Sequence, residues 1–263
     1  MTFSTLNSVK TCAFCPTEAV KLSGEHIWDD WLNRALPTKK FRVRQRRSTV
    51  EPFREYDAVV LKEKLAVVCE KCNHNWMSAV THRVKRSFSD LIIKGTPTSL
   101  NDEDIGLLAA FAFMKAVVAD HATPKSEPFF TRAVRERFRD SLAVPSDIQM
   151  WLAAYQGAHR FSGKFNTAFL SPNEPSPLTG IEFYGFTYVV GHLVVQTLSA
   201  RWTQIGRRAT PVPFLKPNSY WDPAVVRFWP NVPAPVSWPP PKYLGDDTID
   251  NFIARFSVPI NLS

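Results

Sequence analysis

Cys12-Ala13-Phe14-Cys15 and Cys69-Glu70-Lys71-Cys72 hold every cysteine of this 263-residue chain, as two pairs with two residues between the thiols. A two-residue gap lets both thiolates of a pair face one ion, so two such pairs read as a tetrahedral four-cysteine zinc site. One pair alone would leave a redox motif open, and a single cysteine usually fills core space. Disulfides are the poorer reading, since the N-terminal Met1-Thr-Phe-Ser-Thr-Leu-Asn-Ser-Val-Lys10 lacks the charged-then-apolar layout of a secretion signal. The knuckles are 53 residues apart, more than the loop of about 15 to 20 residues in a zinc ribbon, so the insert must carry something of its own.

The insert opens with Leu22-Ser23-Gly24-Glu25-His26-Ile27-Trp28, and the second knuckle runs directly into Asn73-His74-Asn75-Trp76-Met77-Ser78. Taken in order, CxxC, then Glu-His-Ile, then CxxC-Asn, the segment resembles the zinc-supported HNH endonucleases of the His-Me finger class. That resemblance covers residues 12–78. It implies a ββα-metal module in which a β-hairpin and a helix hold one catalytic ion while the cysteines clamp them from outside. His26 matches the family's general base, a neutral imidazole that activates water against phosphorus. Glu25 matches the acid before it, a hard oxygen ligand for Mg2+ or Mn2+, and Asn73 matches the last ligand, through its amide oxygen. The family's middle Asn, which orients the histidine, falls on Lys64, a departure from the pattern that underlies the non-catalytic alternative.

Neighbouring residues are weaker candidates. His74 follows Asn73 directly, and consecutive helical residues point about 100° apart, so both cannot face one ion unless the helix begins between them. His82 reads as a surface or packing residue, and Trp28 and Trp76 as packing for the small module.

Between the motifs, Lys39-Lys40-Phe41-Arg42-Val43-Arg44-Gln45-Arg46-Arg47 places Arg42, Arg44 and Arg46 at period two, on one face of an extended strand. At about 6 to 7 Å spacing these arginines, with Lys39, Lys40 and Arg47, suit consecutive phosphates of a nucleic acid, DNA being the expected partner. An edge strand kept soluble by charge is the plainer alternative. The position of this insert beside the matched site favours the phosphate reading, while the charge balance suits a polyanion-binding module and a solvated surface equally: residues 1–94 carry 17 Lys+Arg against 10 Asp+Glu, a balance of +7, and residues 95–263 carry 15 against 14, a balance of +1.

The expected fold class is α+β in two parts. Residues 1–94 form the nuclease module, closing with a helix over Trp76–Ile93 and the stop Lys94-Gly95-Thr96-Pro97. Residues 95–263 form an accessory body. It begins with a helical stretch over 99–145, comprising an apolar helix Ile105–His121 capped by Ser99 or Asn101 and a charged helix Phe129–Leu142. Antiparallel strands follow over 147–210, in the runs from Gln149, Phe165–Leu170, Ile181–Phe186 and Tyr188–Thr197, with His192 packed inside the last. A Pro/Trp-rich extended wrap over 211–241 and a terminal helix over Asp246–Arg255 complete residues 211–263.

A hydrophobic content of 44% suits a folded core, no apolar run reaches the roughly 18 to 20 residues of a membrane span, and no glycine-rich phosphate loop is found. The expectation is a cytoplasmic, metal-dependent HNH endonuclease with structural Zn2+ and catalytic Mg2+ or Mn2+; relatives of this type serve mobile elements or phage defence. Two alternatives stand beside it: a non-catalytic zinc-finger nucleic-acid-binding protein with a degenerate HNH site, and an interaction protein in which zinc is structural.

Overall fold

The computed structural model describes residues 11–16, 22–27, 29–36, 41–45, 54–58, 64–121, 128–157, 161–169, 181–202 and 219–253. Its elements mix helix and sheet, as expected for an α+β chain.

The N-terminal unit is a short antiparallel pair, β1 (Ser23–His26) against β4 (Lys64–Val68), with α1 (Asp30–Ala35) following β1. β4 leads straight into a long helical run: α2 (Glu70–Cys72), a π-helical turn (Asn73–Met77) and α3 (Ser78–Lys94). The run starts six residues earlier than the periodicity predicts. Polar Glu70, Lys71, Asn73, His74 and Asn75 blur the apolar signal there, which becomes regular at Met77, Val80, Val84, Phe88, Leu91 and Ile92, all buried. The helix ends where expected. Gly95 takes a left-handed conformation (φ 72°), and its N–H and that of Thr96 close on the carbonyls of Leu91 and Asp90.

The insert between β1 and β4 contains a second hairpin, β2 (Phe41–Gln45) with β3 (Arg54–Ala58). Its register sets Asp57 opposite Arg42 and Glu55 opposite Arg44. Two of the three arginines of the expected phosphate stripe thus stand in register opposite an acidic residue. Lys39, Lys40, Arg46, Arg47 and Trp28 lie outside the described residues.

α4 (Asp102–Asp120) starts at a capping box, in which the Asn101 side chain accepts from the Asp104 N–H and the Asp104 carboxylate accepts from the Asn101 N–H. It is buried from Leu107 to Asp120 on every side, and it touches α3 and β4 as well as the main sheet. α5 (Arg132–Ser141) follows, with a short β5 (Thr98–Leu100) before α4.

The main sheet is antiparallel throughout, in the order β10-β6-β9-β8-β7, built from β6 (Gln149–Ala154), β7 (Phe161–Phe169), β8 (Ile181–Val190), β9 (Leu193–Trp202) and β10 (Val225–Trp229). The break between β8 and β9 falls at Gly191-His192 and not near Phe186, so His192 occupies a turn. The turn needs glycine: Gly191 has φ 57°, and a Cβ there would overlap the Ile92 carbonyl oxygen. Period-two alternation sorts the sheet into faces. Met150, Leu152, Ala154, Leu193 and Val195 join the large core with α4, whereas Ala153, Tyr155 and Val194 join a smaller core under α6 (Ile249–Ile253).

Where it is described, the Pro/Trp-rich stretch departs from a simple extended wrap: a 3-10 turn (Ser219–Ala224) leads into β10, which joins the main sheet beyond the expected 147–210 range. β10 sits at the sheet edge, and β11 (Val236–Trp238) pairs with β5 and not with the main sheet. Trp238 is buried and donates its indole N–H to the Ala153 carbonyl at 3.1 Å.

Charge changes at residue 94, but packing does not. One continuous core includes Cys12, Phe14, Val68 and Cys72 together with Phe111, Phe113, Phe138, Leu152 and Tyr188. The two parts read from composition share that core.

Candidate metal centre and the Glu25–His26 strand

The four cysteines come together. Their sulfurs all lie within 4.8 Å of one another, each residue is buried, and none forms a disulfide. The fold brings them there by two local devices. The first knuckle is tied to the hairpin when the Ala13 N–H donates to the Val67 carbonyl at 2.7 Å. The second straddles the junction of β4 with the helix, Cys69 standing as the N-cap of α2 and Cys72 one helical turn inside.

Backbone N–H groups point at the sulfurs, as they do toward thiolates. Phe14 N–H donates to Cys12 Sγ at 3.4 Å and Cys69 N–H at 3.3 Å. With a hydrogen bond from the Cys72 thiol as the largest effect, these donors bring Cys12 down to about 4. Tetrahedral Zn–S bonds of about 2.3 Å place sulfurs a little under 4 Å apart, and Cys15 and Cys69 are at 3.6 Å. A buried, thiol-only tetrad of this spacing fits a structural ion of the zinc type.

A second layer fixes the first knuckle. Phe14 is fully buried against Trp76, edge to face at 4.9 Å, and Trp76 meets Phe138 of α5 in the same way at 5.7 Å. Arg135 of α5 donates to the Ala13 carbonyl, and its Nε donates to the Phe130 carbonyl at 3.0 Å. The same Nη1 lies 3.0 Å from His121 Nε2, while His121 Nδ1 lies 2.8 Å from the Val117 carbonyl. His121 is therefore the Nδ1-protonated tautomer, and burial pushes its pKa down. Neither Arg135 nor His121 carries a motif; only the topology reveals them.

The residues matched to an active site stand on β1 and on the helical run and have different partners. β1 carries Glu25 and His26, and the helical run carries Asn73, whose amide nitrogen donates to Ser23 Oγ at 3.0 Å. Asn73 is half-buried and His74 is exposed, both within the π-helical turn, so the helix does not begin between them and the two point apart. Glu25 is buried and is bound by Lys115 of α4, whose ammonium donates to Glu25 Oε1 at 2.9 Å, to Asp29 Oδ1 at 2.8 Å and to the His26 carbonyl at 2.9 Å. Asp29 is the N-cap residue of α1 but makes no side-chain cap bond: Lys115 binds its Oδ1, and among the described residues its buried Oδ2 has no hydrogen-bond partner. Burial raises the Asp29 pKa against the pull of Lys115.

His26 is half-buried, and among the described residues its Nδ1 has no hydrogen-bond partner. Its register partner on β4 is Lys64. Burial first, and then the Lys64 charge, lower its pKa, so the imidazole is neutral at pH 7. Lys64 is exposed, and its aliphatic stem crosses Gly24, where a Cβ would stand 3.1 Å from Lys64 Cβ. His82 is exposed, as expected, and the half-buried His192 holds its Nδ1 3.0 Å from the Tyr155 carbonyl.

No family model matches the chain, and no curated protein or solved structure matches it. Among the described residues no helix is long and apolar enough to cross a membrane.

Proposed function

We propose that this chain is a zinc-supported nucleic-acid-binding protein built on an HNH-like strand–strand–helix unit whose hydrolytic centre is degenerate. The observation that carries this reading is Lys64 in register opposite His26. In the HNH pattern an amide side chain at that position would orient the imidazole. An ammonium cannot accept the imidazole proton, lowers the ring's basicity, and offers an exposed cation suited to phosphate. The +7 balance of residues 1–94 supports a polyanionic partner, and DNA is the partner we expect, in the cytoplasm.

A metal-dependent endonuclease is the second reading, and one observation favours it. His26 is a neutral imidazole with an unpartnered Nδ1 among the described residues, which is what a general base awaiting an orienting partner requires. One experiment separates the two. Zinc-loaded protein is mixed with supercoiled plasmid and with labelled duplex, with and without Mg2+ or Mn2+, comparing wild type with His26→Ala and Lys64→Ala. Binding without nicking, weakened by Lys64→Ala and indifferent to His26→Ala, supports the first reading. Nicking that His26→Ala abolishes establishes the second. Neither binding nor nicking leaves the zinc unit as an interaction module.

A further inference from the structure

We propose that Lys115 is the permanent cation of the Glu25 centre, and that this centre therefore takes no divalent metal ion. The inference rests on reading Glu25 as the ion-ligand position of the strand–strand–helix unit, and it concerns what fills that position.

An ammonium has three protons, and Lys115 Nζ has three oxygen acceptors at 2.8 to 2.9 Å: Asp29 Oδ1, Glu25 Oε1 and the His26 carbonyl. Its donor capacity is spent on the strand and the helix start that would otherwise face an ion. A Mg2+ or Mn2+ ion would need oxygen ligands at about 2.0 to 2.2 Å in a near-octahedral shell and would keep several waters. The space beside Glu25 is instead held by a positive charge in direct contact. Lys115 is fully buried, and Asp29 and Glu25 are only 7% exposed. Three acceptors around one nitrogen call for all three protons of the charged ammonium, so the geometry itself holds Lys115 in place as a cation. Among the described residues, the cysteines are the one group of three or more Cys, His, Asp or Glu side chains close enough to share an ion.

The lysine comes from α4, beyond the charge boundary at residue 94. The body thus sets the chemistry of the N-terminal unit: it inserts a fixed cation where a replaceable one would serve hydrolysis.

The test is a Mn2+ titration of the zinc-loaded full-length protein, followed by the electron paramagnetic resonance signal of free Mn2+, with zinc content measured on the same samples. Wild type and Glu25→Gln should hold the same amount of Mn2+. A Mn2+ ion held by wild type and lost in Glu25→Gln overturns the proposal. Lys115→Met, which exposes the two carboxylates to each other, should gain one Mn2+ that the Glu25→Gln/Lys115→Met double variant loses, and a folded Lys115→Met protein that gains none also overturns it. If Lys115→Met fails to fold, the comparison of wild type with Glu25→Gln decides alone. Duplex binding is read on the same preparations without Mn2+, so failure of the nucleic-acid reading is seen separately from failure of this one.

Discussion

Lys115 is one of the residues through which the N-terminal unit and the body meet. A buried ion pair adds little net stability over an apolar substitute, but removing one partner strands the others, at a cost of about 3 to 5 kcal/mol. Lys115→Ala leaves Glu25 and Asp29 buried without a cation, and should lose that much in urea unfolding. Glu25→Gln keeps an acceptor for the ammonium and should lose clearly less. Asp120 gives a prediction in pH. Its two oxygens accept from the Phe129 and Phe130 N–H groups at 3.0 Å, and burial outweighs those bonds, raising its pKa from 3.8 to about 6. An acid whose folded pKa is raised binds more protons folded than unfolded between the two values, so its contribution makes stability fall as pH rises from about 4 to 6. His121, with a lowered pKa, works in the opposite direction, losing stability as pH falls below its ordinary value. The difference between wild type and Asp120→Asn isolates the first effect. Urea midpoints across pH 4 to 7 should show the wild type losing up to about 3 kcal/mol relative to the variant. At this scale the cysteines were legible because spacing alone encodes ligand geometry. The role of Lys115 was not: it reads in sequence as an interruption in an apolar helix, and its acceptors are 86 to 90 residues away.

Among the elements, the helices were readable where caps and periodicity agree. Asn101 with Asp104, and Lys94 with Gly95, mark ends that the fold uses. Asn101→Ala should cost about 1 kcal/mol through loss of the capping box, measured as a shift in the urea midpoint with unchanged slope. The break between β8 and β9 was misplaced because Gly185, Gly191 and the alternating aromatics offer similar turn signals. What selects Gly191 is a tertiary contact, the Ile92 carbonyl at the end of α3. Gly191→Ala must therefore both strain a positive φ and push two elements apart, and should destabilise by more than the roughly 1 kcal/mol of a simple turn glycine. The arginine strand was found, but its acidic register partners were not, because pairing with Arg54–Ala58 cannot be read from period two alone.

For the whole molecule, the composition suggested two parts, whereas the core runs from the knuckles through α4 and α5 to the main sheet. Composition reports surface charge, and cores are continuous or divided independently of it. Metal removal should therefore not merely fray the N-terminus. Phe14, Trp76 and Phe138 stack across the boundary, and Arg135 holds the knuckle carbonyl from α5. Stripping the metal with a strong chelator should lower the stability of the entire chain in one transition, seen as coincident near-ultraviolet and far-ultraviolet circular dichroism curves. Separate transitions would show two independent domains.

The most direct measurement is a fluorescence anisotropy titration of labelled duplex DNA with zinc-loaded protein, over a range of salt concentrations and with Mg2+ present, the DNA being recovered afterwards on a denaturing gel. Zinc-supported binding through the basic unit predicts tight association at low salt that weakens steeply as salt rises, with the DNA recovered intact. No association at low salt, or DNA recovered cut, would contradict it.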